Sequence, residues 1–198
     1  MIMRKSVVSC FMLIILVLLG LQSGACSQNQ GGEVSEVKDF TLKDYNGNEI
    51  SLSDFRESKA IVIIFVATEC PVSNAYNSRM ESIYNEYKGK GIAYIGINSN
   101  KAENVSSMKE HANENGLTFP ILKDEKNIIA DQFKASVTPE VYVLNSDFKV
   151  LYHGRIDNSR DEDDVESKDL RNALDEILAG KQVSKEQTKA FGCTIKRV

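Results

Sequence analysis

Apolar residues run unbroken from Ala60 to Ala67 (Ala60-Ile-Val-Ile-Ile-Phe-Val-Ala67) and then return at Val72, Tyr76, Met80, Ile83 and Tyr87. The first run is β-branched and lacks polar alternation, which predicts a strand buried on both faces. The second set is spaced four, four, three and four residues apart, the stripe of one amphipathic helix. Between them lies Thr68-Glu69-Cys70-Pro71. Pro71 suits a first helical turn, where its missing N–H costs nothing. A lone cysteine thus stands where a buried strand hands over to a helix start.

The same periodicities place the other elements. Val37–Leu42 and Glu49–Leu52 alternate around Asn46-Gly47-Asn48 and predict a β-hairpin. Ser53-Asp54-Phe55 predicts a single helical turn. Gly89 and Gly91 stop the first helix, and Ile92–Ile97 is a second buried strand. Val105, Met108 and Ala112 mark a helix over 104–115, ended by Gly116. Phe119–Leu122 is expected as a short edge segment, and Asp124–Phe133 as a short helix. Glu140–Leu144 and Lys149–Tyr152 predict a second hairpin, and Lys168–Leu178 a final helix. Residues 157–167 are acidic and read as a solvated loop. The central βαβ unit requires parallel strands with a right-handed crossover, and the later hairpin adds antiparallel neighbours. The fold class is therefore α/β, a mixed sheet flanked by helices.

The chain's 198 residues, 42% apolar and 26% charged, suit one globular domain behind a leader. Residues 1–25 have the form of a signal peptide: Arg4-Lys5, an apolar stretch from Val7 to Leu21, then Ser23-Gly24-Ala25. Two processing outcomes fit, cleavage after Ala25 or lipidation of Cys26 as the mature N-terminus of a lipoprotein. Residues 26–35 would then be a flexible tether, 36–180 the domain and 181–198 a tail. The expected location is the periplasm or cell envelope, with a lipid anchor to the membrane. The net charge of −4, or −6 once Arg4 and Lys5 leave, argues against a nucleic-acid partner. Two histidines and no clustered ligand set imply neither a metal nor a cofactor.

Export gives the cysteines meaning, because disulfides persist outside the cytoplasm. Cys10 lies within the leader, so Cys70 and Cys193 remain in the domain and tail. At a helix start, unpaired N–H groups and a partial positive charge favour thiolate over thiol at Cys70. Glu69 opposes this, since a neighbouring carboxylate raises a thiol's pKa. Cys193 lies in Phe191-Gly-Cys-Thr-Ile195. As a lone tail cysteine it can resolve Cys70, pair between chains, or stay free.

The element order, with a cysteine after the first central strand, resembles the thioredoxin fold, and the N-terminal hairpin resembles its redoxin branch. Thr68–Tyr76, Gly96-Ile-Asn-Ser-Asn100, Thr138-Pro-Glu-Val-Tyr142, Tyr152-His-Gly-Arg-Ile-Asp157 and Gly192-Cys-Thr-Ile195 resemble peroxiredoxin-like members of the alkyl hydroperoxide reductase and thiol-specific antioxidant group. The resemblance implies a cis peptide before Pro139, facing Cys70. It implies Cys193 as the resolving thiol and Arg155 as a cation directed at the thiolate. It also implies a protein disulfide or a peroxide as substrate, and an external thioredoxin-type reductant. Two features depart from the family. Ala67 stands where thioredoxins carry the first cysteine of Cys-x-x-Cys. Ile63 and Ala67 stand where peroxiredoxins carry proline and threonine, leaving Thr68, one residue late, as the nearest hydroxyl. The expected function is thiol–disulfide exchange, with thiol peroxidase or a redox-inactive binding protein as alternatives.

Overall fold

The computed structural model describes residues 34–198. The expected leader, Cys26 and most of the tether lie outside the described residues.

A seven-stranded mixed sheet forms the centre, built from β1 (Thr41–Asp44), β2 (Glu49–Ser51), β3 (Ala60–Phe65), β4 (Ile92–Asn98), β5 (Ile121–Lys123), β7 (Glu140–Leu144) and β8 (Val150–Gly154). The spatial order is β2-β1-β5-β4-β3-β7-β8. A separate two-stranded ladder joins β6 (Val137–Thr138) to β9 (Cys193–Thr194). β3 and β4 run parallel, with Ala60 opposite Ile92 through Phe65 opposite Ile97, as the βαβ pattern requires. β7 pairs antiparallel with β3 on one side and β8 on the other.

β3 is central because both its faces are apolar. Ala60, Val62 and Ile64 pack into one layer with Met80, Ile83 and Tyr87 of α2 (Asn77–Tyr87), Met108 and Ala112 of α3 (Val105–Glu114), and Leu170 and Leu174 of α5 (Asp169–Leu178). Ile61, Ile63 and Phe65 point into the opposite layer, against Ile129 and Phe133 of α4 (Ile128–Phe133), Leu52 and Ile195. Every side chain of β3 is 0% exposed. At about 1.5–3 kcal/mol for each large apolar side chain buried, this strand anchors whatever follows its C-terminal end.

Three expectations change. The segment Ile121–Lys123 is not an edge: the N-terminal hairpin reaches across and pairs β1 with it antiparallel, Asp44 opposite Leu122. The helix expected as one stripe is two, α1 (Pro71–Asn74) and α2, because Tyr76 N–H donates to the Ser73 carbonyl, an i→i+3 bond that tightens the turn. The Tyr76 hydroxyl is meanwhile held by Asp157 Oδ1 at 3.1 Å and by the Ser159 carbonyl at 2.7 Å. The acidic loop is solvated only past its start. Asp157 is 4% exposed and receives Arg79 Nη1 at 2.7 Å. Among the described residues no helix is long and apolar enough to cross a membrane.

Candidate redox site

Cys70 follows the end of β3 by five residues and forms the N-cap of α1. Its Sγ accepts the Ser73 N–H at 3.3 Å and lies 3.4 Å from the Thr138 carbonyl oxygen. α1 is a single turn, so the sulfur is stabilised by this local N–H rather than by a long helix dipole. The strand-to-helix turn is fixed on both sides. Ala67 N–H donates to Ser73 Oγ at 3.2 Å, and Asn74 Nδ2 to the Thr68 carbonyl at 2.9 Å. Glu69 is exposed to solvent, which screens its carboxylate.

Beneath this turn lies a carboxylate that the periodicity gave no reason to select. Glu103, 4% exposed, accepts Thr68 N–H at 2.7 Å and Glu69 N–H at 3.3 Å, and also takes the Asn98 Nδ2 donor. A buried carboxylate is tolerated when its oxygens are filled in this way. The Thr68 hydroxyl is treated differently: its Oγ1 is buried and has no partner among the described residues.

The second wall is the loop before β7. The Thr138–Pro139 peptide is cis, as the resemblance implies. Glu140, directly after Pro139, is 3% exposed. Its carboxylate accepts Ser136 N–H at 2.8 Å and Val137 N–H at 3.1 Å, and pairs with His153 Nε2 at 2.7 Å. Burial pushes the Glu140 carboxyl up. The bonds from His153, Ser136 and Val137 outweigh it and hold the group below the usual carboxylate range. The His153 ring stacks on Tyr142, centroids 4.2 Å apart.

The tail completes the site. Cys193 pairs in register with Thr138, Thr194 with Val137, and Ile195 N–H donates to the Ser136 carbonyl at 2.9 Å. Cys70 and Cys193 are joined by a disulfide with Cα atoms 5.9 Å apart, across 123 residues of sequence. Gly192 is exposed, yet a Cβ there would meet the Thr138 oxygen at 2.0 Å. Only glycine allows two backbones so close. Phe191 meets the Tyr76 ring edge-on at 6.3 Å.

Of the residues expected at the site, Cys70, Cys193, Thr68 and Pro139 come together here. Arg155 does not turn to the thiol. Its Nε donates to Asp169 Oδ2 at 2.7 Å, and Lys185 and Ser167 occupy the same carboxylate. His153 serves Glu140. His111 is half-buried, near Asn77 Nδ2 at 3.2 Å. Glu103 was missed because nothing local distinguishes it among the chain's acidic residues. Asn98-Ser-Asn100 and Gly192 lay within motifs that carried the resemblance, and were visible to that extent.

A disulfide on the buried Cys70, just past the end of the central strand and opposite a cis-proline loop, defines a thioredoxin-like redoxin. The AhpC/TSA family model matches residues 34–156. The chain belongs to that family. Among curated relatives it is 30% identical over 121 residues to thiol-disulfide oxidoreductase ResA of Halalkalibacterium halodurans, covering 61% of this chain and 64% of that protein. The chain therefore spans just under two thirds of that relative's length. Among solved structures, a hypothetical protein from Sinorhizobium meliloti superposes with a TM-score of 0.79 at 31% identity, covering 84% of this chain and 95% of the other. The thioredoxin domain of a thiol-disulfide oxidoreductase from Bacteroides vulgatus gives a TM-score of 0.60 at 16% identity, over 74% of this chain and 98% of that one, which speaks to the fold alone.

Proposed function

We propose that the protein is an exported thiol–disulfide oxidoreductase with Cys70 as nucleophile and Cys193 as resolving thiol. The observation that carries this reading is the Cys70–Cys193 disulfide. In the forward direction the Cys70 thiolate attacks one sulfur of a partner disulfide. A Cys70–partner bond forms, the partner's S–S bond breaks, and its other sulfur leaves as a thiolate that takes up a proton. The Cys193 thiolate then attacks the Cys70 sulfur, closing the internal disulfide and releasing the second partner thiol. The partner gains two electrons, and an external thioredoxin-type dithiol returns two to this chain. The Ser73 N–H favours the anionic sulfur in the first step. Cys70 and Pro139 act at the reacting centre, while Arg155 is engaged with Asp169 at the start of α5. Residues 1–25 are the export signal, and lipidation of Cys26 would fix the domain to a membrane surface.

Mass spectrometry of the oxidised mature protein tests the reading. The expected result is one Cys70–Cys193 linkage, lost in both Cys70→Ser and Cys193→Ser, with an N-terminus at residue 26. Two free thiols after oxidation would remove the two-cysteine cycle.

A peroxidase reading has one observation in its favour, the buried Thr68 hydroxyl two residues before Cys70, which has no partner among the described residues. There the Cys70 thiolate would attack the peroxide O–O bond, giving sulfenic acid and releasing water after protonation. Cys193 would then displace a second water as the disulfide forms. Stopped-flow mixing with hydrogen peroxide separates the two. Rapid thiol loss that requires Cys70 supports the peroxidase; unchanged thiols leave disulfide exchange.

A further inference from the structure

The geometry points to the end of β4 and the loop that follows it, residues 98–103, as the element that positions both redox cysteines, with Glu103 holding the Cys70 side and Asn100 the Cys193 side. This inference rests on the disulfide-exchange reading above. Glu103 fixes the two N–H groups that immediately precede Cys70. Three residues earlier in the same loop, Asn100 Oδ1 accepts Lys196 N–H at 2.8 Å, and Lys101 N–H donates to the Lys196 carbonyl at 2.8 Å. Lys196 lies three residues past Cys193. One short loop thus binds both cysteine-bearing segments.

The loop is itself held rigidly. Lys123 Nζ donates to the Asn100 carbonyl at 2.7 Å and to Asn98 Oδ1 at 3.3 Å. Ser99 Oγ donates to Asp124 Oδ2 at 2.8 Å, and Asn127 Nδ2 donates to the Ser99 carbonyl. Asn98, Ser99, Asn100, Glu103, Asp124 and Asn127 are all 4% exposed or less. A surface turn does not require six buried polar side chains with their bonds filled. Such a network is costly to assemble and rigid once complete. Its placement gives it a use. Cys193 is separated from Cys70 by 123 residues, and a free tail would meet Cys70 at a low effective concentration. Tying residue 196 to the loop that also fixes residues 68 and 69 sets the two sulfurs in register.

The test equilibrates the full chain with glutathione buffers and measures the Cys70–Cys193 disulfide after alkylation. The reaction exchanges the S–S bond of oxidised glutathione for the internal one and releases two reduced glutathiones. Asn100→Ala removes the acceptor for Lys196. It should lower the equilibrium constant for disulfide formation about three- to tenfold, the worth of one hydrogen bond; tenfold corresponds to about 30 mV for a two-electron couple. Asn100→Asp keeps the acceptor and should restore most of the loss. Lys196→Pro deletes the same bond from the exposed tail side, and answers the question should Asn100→Ala not fold. Glu103→Gln puts an N–H donor where an acceptor is needed, and should likewise lower the constant. If Asn100→Ala and Lys196→Pro match wild type in glutathione, the positioning role is overturned, whatever happens to their melting temperatures. If wild type itself forms no internal disulfide in any buffer, the functional reading fails instead.

Discussion

Replacing Gly192 with alanine tests how the tail reaches the site. The added Cβ would lie 2.0 Å from the Thr138 oxygen, 2.6 Å from the Thr138 carbonyl carbon and 3.2 Å from Pro139 N. Ordinary contact begins near 3.4 Å, so the two backbones must separate by roughly 1.4 Å, more than a packed interface absorbs by relaxation. The loop cannot give easily. Glu140 holds its Ser136 and Val137 amides, and β7 continues directly into the sheet centre. The tail therefore moves, and what it loses can be counted: the short β6–β9 pairing, the Ile195 to Ser136 bond, and part of the burial of Ile195, which is 3% exposed. Two net hydrogen bonds at about 1 kcal/mol each and a partial apolar term of about 1 kcal/mol give about 3 kcal/mol. That is roughly a hundredfold fall in the internal disulfide equilibrium constant. The assay is the fraction of Cys70–Cys193 disulfide across a glutathione series. Gly89→Ala serves as the control, because a Cβ there meets nothing within 4 Å. If Gly192→Ala holds its disulfide within threefold of wild type, close backbone approach is not what docks the tail.

Other outcomes follow from the same contacts. Reducing the disulfide, or making Cys193→Ser, frees a loop of 123 residues and should lower unfolding stability by up to about 5 kcal/mol on the chain-entropy model, read from urea midpoints with and without reductant. Thr68→Val removes a buried hydroxyl that has no partner among the described residues. It should leave stability unchanged or raise it by about 1 kcal/mol; a loss of peroxide reactivity without loss of disulfide exchange would give the hydroxyl to the peroxidase reading. Burial pushes the Asp169 carboxyl up, but bonds from Arg155, Lys185 and Ser167 hold it below the usual carboxylate range. A depressed carboxyl contributes stability that is present above its unfolded pKa of about 3.9 and lost as pH falls towards the folded value. Asp169→Asn should therefore cost about 2–3 kcal/mol at pH 7 and show a flatter acid limb below about pH 4 in urea titrations.

Much of the fold was legible where burial is two-sided or local chemistry is strict. The run Ala60–Phe65 reads as an interior strand from its β-branched residues and missing polar alternation, and Pro71 suits the first turn of a helix. Thr138-Pro139 was legible through resemblance, not periodicity. The misplaced segments share a cause, which is that their partners are distant. Ile121–Lys123 looks like an edge until β1, some eighty residues earlier, is paired to it. Tyr76 continues a helical stripe until Asp157 and Ser159 claim its hydroxyl and the turn tightens. Arg155 was expected at the thiol, and Asp169 takes it, a carboxylate whose burial depends on how α5 docks. Glu103 carries no periodic or local signal, and Asn100 was visible only as part of the Gly96–Asn100 motif. Their roles exist only once the Cys70 turn and the tail stand on either side of one loop.

The arrangement of sheet edges bears on whether a foreign strand can add to this sheet. An unpaired strand edge invites addition of foreign strands. Here β2, at one border, is only three residues long. β8, at the other, is flanked by Glu36 opposite Lys149 and by Gln187 beside His153. The short β6 ladder is occupied by the chain's own Cys193–Thr194. Among the described residues, then, the edge nearest the sulfur chemistry is open to another polypeptide only when the tail lets go. By holding β9 on β6, the Cys70–Cys193 bond serves also as a cover for that edge.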